Sequence, residues 1–416
     1  MKIIIARHSG FCMGVRMAMN TVLKIAHEQD RPIQTLGPLI HNPQTMELLR
    51  KKRVTAAATP GEVRTDTVVV RTHSVAPDVR EALDRRGLSV VDATCPHVKR
   101  IHDIINEHYQ QGYTILIFGD AGHAEVIGLQ GYARDRGHLI NSPGDLAAFP
   151  PGEKICLVAQ TTQGLREYQA IKERAASRFQ APHIFDTVCR ATDRRQTEVE
   201  ALARGTDAVV VVGGKNSANS TRLAKIARRH NARAFHIETE QELSPADFEG
   251  LKSVAVVSGA STPSWLLNRV TDRLKEFSNS RRPAPLRWLN QGADLFVAYN
   301  GYLALCALLL TWAASNLQAR PVRLSHLLTA ALYINSMYIL NRITNIRANQ
   351  YEEIFHSDVI HKHRRFSVAL CLMTGLASMA LAFRLGFPEF TLTVLACVAG
   401  ILYHVPLLPK NNLPLL

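Results

Sequence analysis

The apolar positions of this chain fall into two regimes. Up to about residue 280 they come as short runs separated by amphipathic stretches; beyond it they come as long uninterrupted blocks. In the first regime the runs at 2–6, 67–71, 89–92, 114–118, 154–159, 208–212 and 253–258 are rich in Val and Ile. Several lack the in–out alternation of a half-exposed strand, so they predict parallel strands covered on both faces. Between them the sequence predicts helices over 13–28, 42–51, 76–86, 98–111, 165–179, 194–205, 220–230 and 263–277. Strand, turn and helix repeated in series predict an α/β protein with parallel sheets.

The second regime holds four apolar stretches, at about 296–314, 324–341, 366–383 and 390–408, with no Asp, Glu, Lys or Arg. Each is long enough to cross a bilayer. The loop between the second and third carries Arg342, Arg347, Lys362, Arg364 and Arg365, whereas the outer loops carry Arg320, Arg323 and Arg384. Positive-inside bias places the central loop in the cytoplasm. The expectation is a cytoplasmic domain over 1–280, a Pro- and Arg-bearing linker over 281–290, and a multi-pass membrane region over 291–416.

Composition sharpens this split. Hydrophobic residues at 46% and charged residues at 20% exclude a disordered chain. The net charge is +14, and residues 281–416 alone hold 12 Lys+Arg against 5 Asp+Glu. No nucleic-acid motif accompanies the excess, so an anionic small molecule and a membrane surface account for it, with no nucleic acid as partner. The first residues hold only four apolar side chains between Lys2 and Arg7, too few for a signal-peptide core, and predict a first strand.

Seven cysteines, an odd and widely spaced set, do not form a secreted disulfide framework. Three of them share a context. Cys12, Cys95 and Cys189 each follow a β-like segment and precede a helix, at intervals of about one small α/β unit. The repeat predicts three units around a centre in pseudo-threefold fashion, each giving one thiolate. The units are expected over about 13–96, 97–190, and 191–280 with 1–12. Three sulfurs without a fourth suit a metal site with one open position, either zinc or an iron–sulfur cluster. Cys156 lies inside an apolar run and reads as core. Cys306, Cys371 and Cys397 lie in the apolar blocks.

Polar residues recur at comparable turns. His41-Asn42, His73-Ser74 and Gly122-His123-Ala124-Glu125 stand after loops and before helices. Three histidines near helix N-termini predict an anion pocket built from charge, N–H groups and helix dipoles. The run from Gly213 to Ser220 follows a Val-rich strand and lacks the Gly-Lys-Ser/Thr ending of a P-loop, yet its small hydrogen-bonding residues suit phosphate oxygens. Gln160-Thr161-Thr162 and Ser258 to Pro263 form similar turns.

Taken in order, these segments resemble the 4-hydroxy-3-methylbut-2-enyl diphosphate reductases of the IspH/LytB family over residues 1–278. The resemblance rests on Gly10-Phe11-Cys12-Met13-Gly14-Val15, the run Gly37 to Asn42, Arg71-Thr72-His73, Asp92 to Pro96, Gly122 to Val126, Gln160-Thr161-Thr162, the Cys189 segment and Gly214 to Ser220. It implies that Cys12, Cys95 and Cys189 ligate three irons of a [4Fe-4S] cluster, leaving the fourth iron as a Lewis acid for the substrate's hydroxyl. It further implies that His41, His73, His123, Ser217, Asn219 and Ser261 hold the diphosphate. Glu125, helped by Thr161, would relay a proton, and a ferredoxin or flavodoxin would donate electrons. The implied products are isopentenyl and dimethylallyl diphosphate, at the last step of the non-mevalonate isoprenoid pathway. Three places depart from the family pattern: Ala218 where a serine is common, Ser74 where glycine is common, and His8-Ser9 ahead of Gly10.

Residues 290–412 are similar to the first half of UbiA-type membrane prenyltransferases, on the loop Asn341 to Asn349 and the segment Leu402 to Lys410. The aspartates that hold Mg²⁺–diphosphate in that family align with Arg342, Asn345 and Asn349, and neutral amides bind Mg²⁺ poorly. The expectation is an anchor or a docking region rather than a transferase.

Overall fold

In the computed structural model the chain forms two units, Met1–Phe277 and Ser278–Leu416. The structure describes residues 1–29, 31–280, 288, 292–293, 295–319, 321–344 and 363–404.

The first unit carries twelve strands in three sheets of four. The first sheet holds β1 (Lys2–Ile5), β10 (Ala208–Val212), β11 (Ala234–Ile237) and β12 (Ser253–Ser258). The second holds β2 (Ile33–Leu36), β3 (Val54–Ala57), β4 (Thr67–Val70) and β5 (Ser89–Asp92). The third holds β6 (Thr114–Phe118), β7 (Gly137–Ile140), β8 (Ile155–Ala159) and β9 (His183–Ile184). Every pairing is parallel. The spatial orders are β11-β10-β12-β1, β3-β2-β4-β5 and β7-β6-β8-β9, one pattern used three times. In the first sheet the fourth place is taken by the N-terminal strand, so the repeat is circularly closed.

Helices join the strands: α1 (Met13–Glu28), α2 (Pro43–Lys51), α3 (Pro77–Arg85), α4 (Pro96–Gln110), α5 (Ala124–Ala133), α6 (Leu165–Arg178), α7 (Arg190–Gly205), α8 (Ala218–His230) and α9 (Ser264–Ser280). They cover both faces of each sheet, which is why β6, β8 and β10 are buried along their whole length. Val210, Val212, Val254 and Val256 pack with Leu266, Val270 and Leu274 on one face of the first sheet, and Val209, Val211, Ala255 and Val257 pack with Val199, Leu223 and Ala224 on the other. Each fully buried Val or Leu contributes about 1.5–3 kcal/mol. Cys156 is one of these core residues, against Ile105 and Leu129.

The strands that sequence periodicity left out are β2, β3, β7, β9 and β11. Most carry polar residues or are partly exposed, as in the His183–Ile184 pair and the exposed Thr55–Ala56 of β3. No bounds were expected for α5, whose Gly128 and Gly131 weaken helix propensity; Gly131 is needed because a Cβ there would stand 2.4 Å from Ala76.

The second unit is helical, with Gly301–Leu317, Leu324–Thr344, Arg364–Leu385 and Phe387–His404 near the four expected apolar stretches. The four-span topology does not follow from them. Among the described residues, Arg364–Leu385 alone has both the length and the apolar composition to cross a membrane. Gly301–Leu317 and Phe387–Tyr403 are shorter apolar helices, and Leu324–Thr344 is diluted by His326, Asn335 and Asn341. Residues 281–287 of the expected linker lie outside the described residues, as do Arg347, Lys362, Asn345, Asn349 and residues 405–416.

Candidate functional site

The repeated strand order fixes where chemistry gathers. In a doubly wound sheet the crevice lies at the carboxyl ends of the strands, where the connections diverge. Here the turn after each sheet's fourth strand supplies a cysteine: Cys12 after β1, Cys95 after β5 and Cys189 after β9. Each is the N-cap of the following helix, α1, α4 or α7. Each also donates its backbone N–H to the turn after the third strand of its own sheet: Cys12 to Ala260 O at 3.0 Å, Cys95 to Thr72 O at 3.0 Å, and Cys189 to Thr161 O at 2.9 Å. Three equivalent hydrogen bonds hold three equivalent turns.

The turns after the second and third strands of each spatial order supply the polar wall. His41 follows β2 and His73 follows β4; His123 and Glu125 follow β6 and Thr161 follows β8; Ser217 and Asn219 follow β10 and Ser261 follows β12. All eight line one central cavity together with the three cysteines. The structure therefore brings together every site residue that the sequence suggested in the first unit.

The thiols meet the conditions for a metal centre. All three are free; Cys189 acts on Cys12, and both Cys12 and Cys189 act on Cys95. Burial pushes the Cys12 thiol up and the Cys95 thiol up to about 11, against opposing backbone N–H groups of α1 and α4. Partly buried thiols such as Cys12 and Cys95, held toward the protonated form, are stabilised as thiolates when a metal replaces the protons. Gly14 lines the same space: a Cβ there would stand 2.6 Å from Cys95 Sγ. Three soft donors from three sheets fit an iron–sulfur cluster with one iron free of protein ligands.

The histidines form a tight trio. Ring centroids lie 4.6 Å apart for His41–His73, 5.4 Å for His73–His123 and 5.8 Å for His41–His123. One nitrogen from each lies within 4.8 Å of the others, a spacing that suits a shared phosphate oxygen or a shared ion. The expectation of three charged rings needs correction for the free protein. Burial lowers His123 to about 4 and lowers His41; it drives His73 well below the usual imidazole value, with His41, His123 and Arg71 adding repulsion. In the free protein burial thus favours the neutral rings near pH 7. His123 Nδ1 accepts from the Glu125 N–H at 3.2 Å, which leaves Nε2 as the proton carrier.

The remaining wall is unsatisfied, as a ligand site should be. His41 Nε2 and both side-chain atoms of Asn219 are buried with no hydrogen-bond partner. Asn219 lies in the first turn of α8, capped by Ser217, whose Oγ accepts from the Ser220 N–H at 3.4 Å. Ser261 Oγ donates to His41 O at 3.1 Å and joins the first sheet's turn to the second's. Where serine is common, Ala218 lines the cavity at the first residue of α8. Ser74 adopts φ +69°, the left-handed region that favours glycine.

Glu125 is 1% exposed. Its carboxylate accepts from Thr161 N at 2.6 Å and from Thr161 Oγ1 at 2.7 Å. Burial nevertheless pushes its pKa up to about 7. A carboxyl poised near neutrality at a cavity wall is suited to proton transfer.

Sequence reasoning missed Arg195, which also lines the cavity and is 6% exposed. A signal was present. Arg195 interrupts the buried stripe Thr192, Val199 and Ala203 of α7, a charge on an otherwise small and apolar face.

Comparisons with known proteins agree with this geometry. The family profile described as LytB protein matches residues 3–275. A 4-hydroxy-3-methylbut-2-enyl diphosphate reductase of Opitutus terrae is 41% identical over 289 residues, covering 66% of this chain and 99% of the relative. The solved E-1-hydroxy-2-methyl-but-2-enyl-4-diphosphate reductase of Plasmodium falciparum superposes with a TM-score of 0.62 at 25% identity, over 65% of this chain and 87% of that one. A second solved structure, (E)-4-hydroxy-3-methyl-but-2-enyl diphosphate reductase, the terminal enzyme of the non-mevalonate pathway, gives a TM-score of 0.52 at 37% identity, over 66% of this chain and all of that one. The family match stops at residue 275 and gives no support to the UbiA likeness of the helical unit. With three like sheets, their converging cysteines and this match over two thirds of its length, the chain belongs to the LytB protein family.

Proposed function

We propose that this chain reductively removes the hydroxyl of 4-hydroxy-3-methylbut-2-enyl diphosphate, giving isopentenyl and dimethylallyl diphosphate. Cys12, Cys95 and Cys189 would hold a [4Fe-4S] cluster. When bound, that cluster supplies electrons and Lewis acidity at its open iron. The observation that carries the reading is the meeting, in one cavity, of three thiols, one buried carboxyl and an unpartnered polar set.

This chain's own residues do the rest. The Asn219 amide, His41 Nε2 and the Ser217 and Ser261 hydroxyls receive the diphosphate beside the N-terminus of α8. His73 and His123 close the pocket, and all three rings gain protons as the anion enters. Burial holds Glu125 at about 7, so its protonated form is available near neutral pH. Glu125 then delivers a proton toward the departing oxygen, with Thr161 Oγ1 fixing its orientation. The C–O bond breaks, two electrons and two protons enter, and oxygen leaves as water. The electrons come from a carrier of ferredoxin or flavodoxin type. Anaerobic turnover of the reconstituted protein with reduced viologen tests the reading. Product that vanishes in Cys12→Ser and Glu125→Gln is expected. Iron and sulfide present without turnover of this diphosphate would overturn the substrate assignment, and absence of both would overturn the cluster.

The helical unit attaches the enzyme to a bilayer. In its support, Leu310, Leu376, Phe383 and Leu392 are at least 65% exposed. Two polar contacts between its helices use small side chains: Ser336 Oγ donates to Cys371 O at 2.9 Å and Ser378 Oγ to Thr329 O at 3.0 Å. That is the packing style of helices in lipid. The full chain is expected to sediment with membranes, resist alkaline extraction and be released by detergent. Recovery in the high-speed supernatant without detergent would refute attachment.

A further inference from the structure

Among the described residues, Arg195 is the one Arg or Lys in the wall of the central cavity. Its Nη2 donates to Gly10 O at 2.8 Å and its Nη1 to Ser258 O at 3.2 Å, while Nε has no partner. Gly10 stands two residues before Cys12. Ser258 ends β12, whose next turn holds Ala260, the acceptor of the Cys12 N–H. Arg195 itself rides on α7, the helix capped by Cys189. One guanidinium thus ties the helix that begins at Cys189 to the turn that carries Cys12.

Both acceptors are neutral carbonyls, and no carboxylate forms an ion pair with Arg195 among the described residues. Glu198, one turn further along α7, is engaged by the Arg7 and His8 N–H groups and by the His8 ring. A buried guanidinium without a carboxylate is costly unless another anion compensates it. As thiolates, Cys12 and then Cys189 would act on Arg195 ahead of Glu198. The thiolates of a metal-loaded centre would supply the compensating anion.

We propose that Arg195 is a positioning residue that acts through its charge, as the fixed counter-cation of the three-thiolate centre, and that it makes this centre easier to reduce. Reduction adds one electron, so the reduced state carries more negative charge than the oxidised one. A cation fixed in a low-dielectric wall favours the more negative state. This inference rests on Cys12, Cys95 and Cys189 being the ligand set of an iron–sulfur cluster.

The test is a redox titration of the intact reconstituted protein, followed by the paramagnetic signal of the reduced cluster, for the parent, Arg195→Gln and Arg195→Lys. Arg195→Gln keeps hydrogen-bonding capacity and removes the charge. At a fixed ambient potential near the parent midpoint, its reduced-to-oxidised ratio is expected to fall about tenfold, a shift of about 59 mV for one electron. Arg195→Lys keeps the charge and is expected to stay near the parent. Equal midpoints in all three proteins, at equal iron and sulfide content, overturn the proposal. So does Arg195→Lys shifting as far as Arg195→Gln, because geometry and not charge would then be at work. If Arg195→Gln does not assemble the cluster, Arg195→Lys decides: assembly at the parent midpoint supports a required cation, and failure to assemble refutes it. A parent protein that holds no iron and sulfide breaks the ligand-set reading instead, so the two failures are distinguishable.

Discussion

Replacing Glu125 by Gln removes an acid while keeping the size and hydrogen-bonding reach of the side chain. The carboxyl is buried, accepts two hydrogen bonds from Thr161, and has its pKa raised from the usual 4.5 to about 7. At about 1.36 kcal/mol per pKa unit, that climb sets about 3 kcal/mol against the ionised form. The sign follows from the direction of the rise. The fold prefers the protonated acid, so the cost is absent below the unfolded value, grows as pH rises past it, and is complete above about 7. For catalysis the protonated form is the competent one, so kcat/KM in the free enzyme is expected to fall about tenfold per pH unit well above pH 7. Glu125→Gln is expected to lower kcat by about 10²–10⁴ and to flatten that limb. Its stability should exceed the parent's at pH 8.5 by up to about 3 kcal/mol, the gap closing as pH falls toward 4.5. Anaerobic turnover with a reduced viologen, across pH 5.5 to 9, reads the first effect, and urea unfolding at two pH values reads the second. A parent profile flat to pH 9, or an unchanged falling limb in Glu125→Gln, would refute the assignment of Glu125 as the acid.

Three further outcomes are expected. Ser74→Gly relieves a left-handed residue at φ +69° and should raise stability by about 1 kcal/mol, read as a higher midpoint in thermal unfolding; a lower midpoint would show that the Ser74 Oγ bond to Val75 O outweighs the strain. Gly14→Ala places a methyl group 2.6 Å from Cys95 Sγ, so iron and sulfide per chain should drop sharply, and full occupancy would mean that α1 shifts freely. Binding of inorganic diphosphate near pH 7 should take up protons, because the anion raises histidines that burial holds low. Affinity should therefore weaken as pH rises through the bound-state values of these rings, and calorimetry in buffers of different ionisation heat measures the uptake; none would mean that the rings stay neutral and bind by N–H donation alone.

The separation between what the sequence displayed and what it hid follows from how each feature is encoded. Strands β6, β8, β10 and β12 were legible because they are buried on both faces and so must be continuously apolar. The cysteines were legible because each N-caps a helix after a strand, a local context repeated three times. Such repetition does not reveal which strand lies next to which. The threefold count of units grouped residues 1–12 with 191–280, but the pairing of β1 beside β12, about 250 residues later, has no local mark. Edge strands such as β3 and β9 gain their order from a neighbour and not from their own composition. Arg195 is the instructive miss. Read along α7 it is one of several arginines in a polar helix, and only its register with Thr192 and Val199 marks it as inward. Its meaning depends on Gly10 and Ser258, which lie on other elements of the first sheet. The ionisation of the site was hidden for the same reason. Histidines that look cationic in a string of letters become neutral when burial, and then one another and Arg71, disfavour their charge, and a glutamate that looks anionic becomes an acid when burial outweighs the Thr161 hydrogen bonds that favour its carboxylate. The chemistry of this cavity is a property of enclosure, and enclosure is built by three sheets acting together.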